Sequence, residues 1–122
     1  MARILVVDDD EQICALVSRL LENDGHEVAV AMTGVDALAE LRASAYDLMI
    51  LDLVMPQKGG IETIMEIRGV SPDLPIVVVS GRVAFGDAST TRLLRQYGAL
   101  AVLSKPFSAD ELREAVSESL SA

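Results

Sequence analysis

Five short apolar runs, each followed by a segment with helical spacing, constrain this chain more than any other feature. Ile4 to Val7 is a run of strand length. Ile13, Leu16, Val17, Leu20 and Leu21 then repeat at i, i+3, i+4, i+7 and i+8, the stripe of a helix. That helix is expected to stop at Asn23-Asp24-Gly25, where glycine can adopt a left-handed cap. Val28 and Val30 mark a second strand, and Thr33-Gly34 opens a second helix with Val35, Leu38 and Leu41 facing inward.

The same alternation continues to the end of the chain. Leu48 to Leu51 reads as a third strand, ended by Met55-Pro56 because proline cannot extend a central ladder. Ile61, Ile64 and Met65 mark a third helix closing near Gly69, and Ile76 to Val79 follows Pro72 and Pro75 as a fourth strand. Leu93, Leu94 and Tyr97 mark a fourth helix ending at Gly98, and Ala101 to Leu103 is a short fifth strand. Ser108 and Glu111 have the spacing of a capping box, opening a last helix whose inward face is Leu112, Ala115 and Val116.

Strands without polar alternation must be covered on both faces, which in a β-α alternating chain means a parallel sheet. The expected fold class is therefore α/β, a (βα)5 three-layer sandwich. Right-handed crossovers leave few strand orders, and the flavodoxin-like order 2-1-3-4-5 is favoured. At 122 residues one domain is expected, spanning 1–122 with no output domain, since Ser117 to Ala122 reads as a helix ending rather than a linker.

Charge and composition narrow the functional classes. Nineteen Asp and Glu against ten Lys and Arg give a formal charge of −9. Such a surface repels phosphate backbones and anionic lipid, so neither nucleic acid nor membrane is an expected partner. No apolar run reaches the ~18 residues of a bilayer span. The first residues lead straight into a strand, so the cytoplasm is the expected compartment. A lone cysteine, Cys14, reads as a plain helix residue.

The carboxyl ends of parallel strands meet along one edge, and that edge collects chemistry-bearing residues. The first strand leads into Asp8, Asp9 and Asp10, the third into Asp52, the fourth into Ser80 and Gly81, the fifth into Ser104 and Lys105. Carboxylates packed within a few ångströms repel one another, and a cation relieves that repulsion. An all-oxygen ligand set selects a hard ion, and Mg²⁺ combines one or two carboxylates with water and phosphate oxygens. Asp8, Asp9 and Asp52 can supply such a set. Asp52 is the candidate nucleophile, because an aspartate carboxylate can form an acyl-phosphate. Ser80 and Lys105 are placed to meet the phosphoryl oxygens. Asp10 reads as a helix cap, and His26 as structural or exposed.

These residues also carry a family resemblance. Ile4-Leu5-Val6-Val7-Asp8-Asp9-Asp10, Met49-Ile50-Leu51-Asp52-Leu53-Val54-Met55-Pro56, Gly60, Val77-Val78-Val79-Ser80-Gly81 and Lys105-Pro106-Phe107 resemble the signatures of bacterial response-regulator receiver domains. The signatures occur in the family's order and span nearly the whole chain. The resemblance implies a two-component signalling switch. By it, Asp52 is the phosphoacceptor, Asp8, Asp9, Asp52 and the Val54 backbone carbonyl hold Mg²⁺, and Ser80 and Lys105 hold the phosphoryl group. It implies a cis Lys105–Pro106 peptide. It also implies a sensor histidine kinase or histidine phosphotransfer protein as donor and a downstream effector protein as target. Self-catalysed gain and loss of one phosphoryl group, rather than turnover of a free substrate, is the expected activity.

Two departures from the family pattern bear on these expectations. The family usually has an aromatic residue three positions before the lysine, where this chain has Val102, so an aromatic rotamer switch there is impossible. Ser80 and Lys105 are also separated by twenty-five positions, a few more than usual, with Gly81 to Thr91 rich in Gly, Ser and Thr. Phe85 in that segment reads first as a loop residue packing on the surface, with replacement of the missing aromatic as the alternative. Other readings stay open: a pseudo-receiver that binds partners without phosphorylation, or an aspartyl-phosphate hydrolase. The latter typically carries a second Asp two residues after the nucleophile, where this chain has Val54. Phosphorylation-dependent homodimerisation through the last two helices is also left open.

Overall fold

In the computed structural model, the structure describes residues 1–52, 60–80, 92 and 94–121; the side chains at 60, 61 and 80 are outside that description. The described residues form five strands: β1 (Arg3–Val7), β2 (Glu27–Ala31), β3 (Leu48–Asp52), β4 (Ile76–Ser80) and β5 (Ala99–Ser104). They form one parallel sheet in the order β2-β1-β3-β4-β5, as expected. The helices are α1 (Glu11–Asn23), α2 (Gly34–Ala43), α3 (Gly60–Val70) and α4 (Ala109–Ser121). Of the helix expected around Leu94, residues 94–96 are helical and Leu94 is buried; its earlier part lies outside the described residues.

The strand sequences build two cores, one on each face of the sheet. Leu5, Val7, Met49, Leu51, Ile76 and Val78 point to the side covered by α2 and α3. Ile4, Val6, Leu48, Ile50, Val77 and Val79 point to the side covered by α1 and α4. The two-residue period of a strand thus serves two apolar layers, which is why no polar residue interrupts the runs.

The ends of the elements follow local chemistry. Asp10 caps α1, its carboxylate accepting from the Gln12 and Ile13 amides at 2.9 and 3.4 Å. Thr33 caps α2 through the Asp36 amide. Ser108 and Glu111 form the expected reciprocal box, with both bonds at 3.0 Å. Gly25 and Gly98 take positive φ, +92° and +93°, where the chain leaves α1 and where it turns into β5.

Three inward-facing assignments are corrected. Leu16 is exposed, because the seam of α1 is Cys14, Val17 and Leu21, with Ile13 and Leu20 flanking it half-buried. Val35 is exposed, because α2 approaches its neighbours through Gly34, Ala37, Leu38 and Leu41. A methyl at Gly34 would lie 3.2 Å from Thr63 Oγ1, so close contact with α3 turns Val35 outward. Met65, taken with Ile61 and Ile64 to mark the helical stripe, is exposed while Thr63, Ile64 and Ile67 are buried. Each error picks a residue adjacent to the true seam, a rotation of about 100° on a helix.

Replacing Ser108 by Ala should lower stability by about 1 kcal/mol through loss of the α4 cap. Urea unfolding of the two proteins measures this, and an unchanged midpoint would remove the box from the account.

Candidate functional site

Register brings the acidic residues together. Val7 pairs with Leu51, so Asp8 and Asp52, each one residue further on, stand at neighbouring strand ends. Asp52 in turn pairs with Val79, and Ser80 with Ser104, which puts Lys105 one residue beyond β4's last pair. One ligand oxygen from each of Asp8, Asp9 and Asp52 lies within 4.8 Å of the others. Asp8 is 1% exposed and Asp52 is 4% exposed, whereas Asp9 is open to solvent.

Lys105 reaches across this cluster. Its Nζ lies 2.8 Å from Asp8 Oδ2, to which it donates a hydrogen bond, and 3.5 Å from Asp52 Oδ2. Burial pulls the lysine toward its neutral form, but the bond to Asp8 and the charge of Asp52 outweigh it, and its pKa is raised. The Lys105–Pro106 peptide is cis, as the resemblance implies. The other Asp8 oxygen, Oδ1, accepts the Asp10 amide at 2.9 Å, and the Asp8 amide donates to the Ala31 carbonyl at 3.2 Å. Asp8 is therefore tied to β2, to the start of α1 and to the loop after β5.

The charge of the cluster suits a divalent cation. Three carboxylates carry a formal −3, and Lys105 offsets one unit. Two of the three are buried, where uncompensated charge is costly. A surplus of two negative charges on an all-oxygen set fits a hard divalent ion rather than a soft one.

Against the sequence-based expectations, Asp8, Asp9, Asp52 and Lys105 are brought together. The backbone of Ser80 ends the neighbouring strand. Val54, Gly81, Arg82 and Phe85 lie outside the described residues. Val102 packs half-buried against the core shared by α2 and α3. His26 is half-buried and distant in role, its Nδ1 accepting the Ala2 amide at 3.1 Å.

One contact escaped the sequence reading. Cys14 is buried, and its Sγ donates to the Asp8 carbonyl at 3.2 Å. Burial first, then the charges of Asp8 and Asp10, push this thiol up to about 11, so it stays protonated at neutral pH. The only sequence signal was position: Cys14 is the first inward-facing residue of α1.

The model of the response regulator receiver domain matches residues 4–117. The chain belongs to the receiver domain family. Over 117 residues the domain is 38% identical to the transcriptional regulatory protein ZraR of Salmonella typhimurium, covering 96% of this chain and 26% of ZraR. The chain thus spans about a quarter of that relative's length. A CheY-like receiver domain protein from Methanospirillum hungatei superposes with a TM-score of 0.90 at 28% identity, over 99% of this chain and 94% of that one. The response regulator TrrA of Thermotoga maritima, solved in complex with Mg²⁺-BeF, superposes with a TM-score of 0.84 at 34% identity, over 98% and 99% of the two chains. As a receiver domain the chain is a signalling protein homologous to response regulators.

The raised pKa of Lys105 has a stability consequence in metal-free solution. Its charged form stabilises the fold in full below the ordinary lysine value of 10.5 and loses that effect as pH climbs through the elevated folded value. Lys105→Met should therefore be less stable than the parent by a constant margin from pH 7 to about 10, with the margin shrinking above that. Urea midpoints measured in EDTA across this range test the sign. A margin that already closes near neutral pH contradicts the ion-pair geometry.

Proposed function

We propose that this receiver domain accepts a phosphoryl group on Asp52 from a phospho-histidine donor in a Mg²⁺-dependent reaction, and that the modified site alters its binding to a downstream protein. The observation that carries this reading is the buried pair Asp8 and Asp52 bridged by one ammonium, Lys105. Such a group of charges suits positioning and neutralising a phosphoryl group, which is most of what phosphoryl transfer needs. TrrA's complex with Mg²⁺-BeF supports the same assignment.

In this reading Asp8, Asp9, Asp52 and the Val54 carbonyl hold the ion. When bound, Mg²⁺ supplies charge neutralisation for phosphoryl oxygens. Asp52 presents a carboxylate oxygen to phosphorus. An O–P bond forms, the donor's N–P bond breaks, and the imidazole leaves with the bonding pair and takes up a proton. Lys105 then exchanges a carboxylate partner for a phosphoryl oxygen, and the Ser80 hydroxyl donates to another. The new group carries about −1.5 to −2 charges in place of one carboxylate charge. Drawing Lys105 and Ser80 toward it moves the ends of β5 and β4, a local electrostatic change with a wider readout.

The donor fits a sensor histidine kinase or histidine phosphotransfer protein, and the cytoplasm fits as the place of action. No described helix is long and apolar enough to cross a membrane. The acidic surface, at −9 overall, favours basic protein partners over nucleic acid.

Incubation with Mg²⁺ and acetyl phosphate or a phospho-histidine protein should add one phosphoryl mass, and Asp52→Asn should take up none. Intact-mass spectrometry decides; equal labelling of the Asn variant rejects Asp52. Independently, Mg²⁺ at ten times its dissociation constant should add about 1.4 kcal/mol of stability if it binds only the folded chain. A melting curve that does not move in millimolar Mg²⁺ removes the metal from the mechanism.

A further inference from the structure

Of the three carboxylates proposed to hold a cation, Asp8 is the most enclosed. Asp8 follows the last residue of β1, and its carboxylate is committed on both oxygens, to the Asp10 amide and to Lys105. Each oxygen keeps a second lone pair for a cation, whose approach depends on how the backbone that carries Asp8 is held. That backbone is held on one side by its amide, which donates to Ala31 at the end of β2. On the other side its carbonyl accepts from Cys14 Sγ at 3.2 Å. The same sulfur lies 3.9 Å from Met32 Sδ, just beyond β2. Cys14 thus links the first turns of α1, the end of β1 and the residue after β2, directly beneath the acidic cluster.

We infer that Cys14 is a positioning residue for cation binding: its S–H bond to the Asp8 carbonyl fixes the peptide that carries the Asp8 carboxylate. This inference rests on the cation reading of the same site. The role is one of hydrogen bonding and not of filling space. Valine and alanine both lack a donor and bracket cysteine in size, the one larger and the other smaller, while serine keeps a donor and loses little volume. A ligand peptide left free to tilt presents its carboxylate less often in the geometry a small, rigidly coordinated ion demands. The cost therefore falls on affinity for the ion and not on folding alone.

The test uses the 122-residue protein and MgCl₂ alone, titrated by isothermal calorimetry, with melting temperatures recorded in EDTA. Cys14→Val should bind Mg²⁺ about threefold more weakly than the parent, the scale of one modest hydrogen bond. Cys14→Ser should bind within experimental error of the parent, even if it melts lower. Cys14→Ala, which also lacks the donor, should follow Val in affinity and serves in its place if Val does not fold. Parental affinity in the Val and Ala variants overturns the inference, as does equal weakening in Val, Ala and Ser, which would make the effect one of packing. Absence of Mg²⁺ binding by the parent protein overturns the cation reading itself and the inference with it.

Discussion

Two carboxylates, Asp8 and Asp52, are buried side by side at the ends of adjacent strands, and the arrangement of the rest of the molecule follows from keeping them there. Like charges in a low-dielectric setting repel strongly, so a loose loop would move them apart or protonate one. A parallel sheet prevents this. β1 and β3 are locked in register from Ile4 opposite Leu48 to Val7 opposite Leu51, and both strands are packed on both faces. The two apolar cores therefore do more than stabilise a fold: they supply the rigidity that holds an electrostatically unfavourable pair at a fixed separation.

Relief of that repulsion sets what the site can do. Lys105 offsets part of the charge and does so unequally, closer to Asp8 at 2.8 Å than to Asp52 at 3.5 Å. Asp52 is the carboxylate further from the lysine, in keeping with its proposed role as phosphoacceptor. Asp8, tied through its amide, carbonyl and both carboxylate oxygens, suits a fixed ligand.

The fold was legible because the central strand runs, such as Ile76 to Val79, contain no polar residue and fit a parallel sheet covered on both faces. Site residues were legible for a related reason: strand ends converge by topology, so Asp8, Asp52 and Lys105 meet without any knowledge of side-chain geometry. Helix faces were less legible. Leu16, Val35 and Met65 are apolar and close to the seam, yet α1 and α2 approach through small residues, Cys14, Gly34 and Ala37, that hydropathy undervalues. Close approach of backbones favours the small side chain, so the larger neighbour faces outward. The same effect hid the contact between Cys14 and Asp8, since a small inward residue reads as filler until its donor has an acceptor.

Val102 shows where the site and the wider fold separate. With no ring to rotate, a signal generated at Asp52 cannot travel through an aromatic swing at that position. Val102 packs half-buried into the core beneath β4 and β5, beside a register shift between Ile76 and Val77. A β-branched side chain there has one favoured rotamer and little freedom to change it. In the proposed reaction, displacement of Lys105 would then be transmitted by movement of the β5 backbone rather than by a rotamer change at Val102. β5 is an edge strand of the described sheet, paired to β4 with a register shift between Ile76 and Val77, whereas β1, β3 and β4 each have a neighbour on both sides.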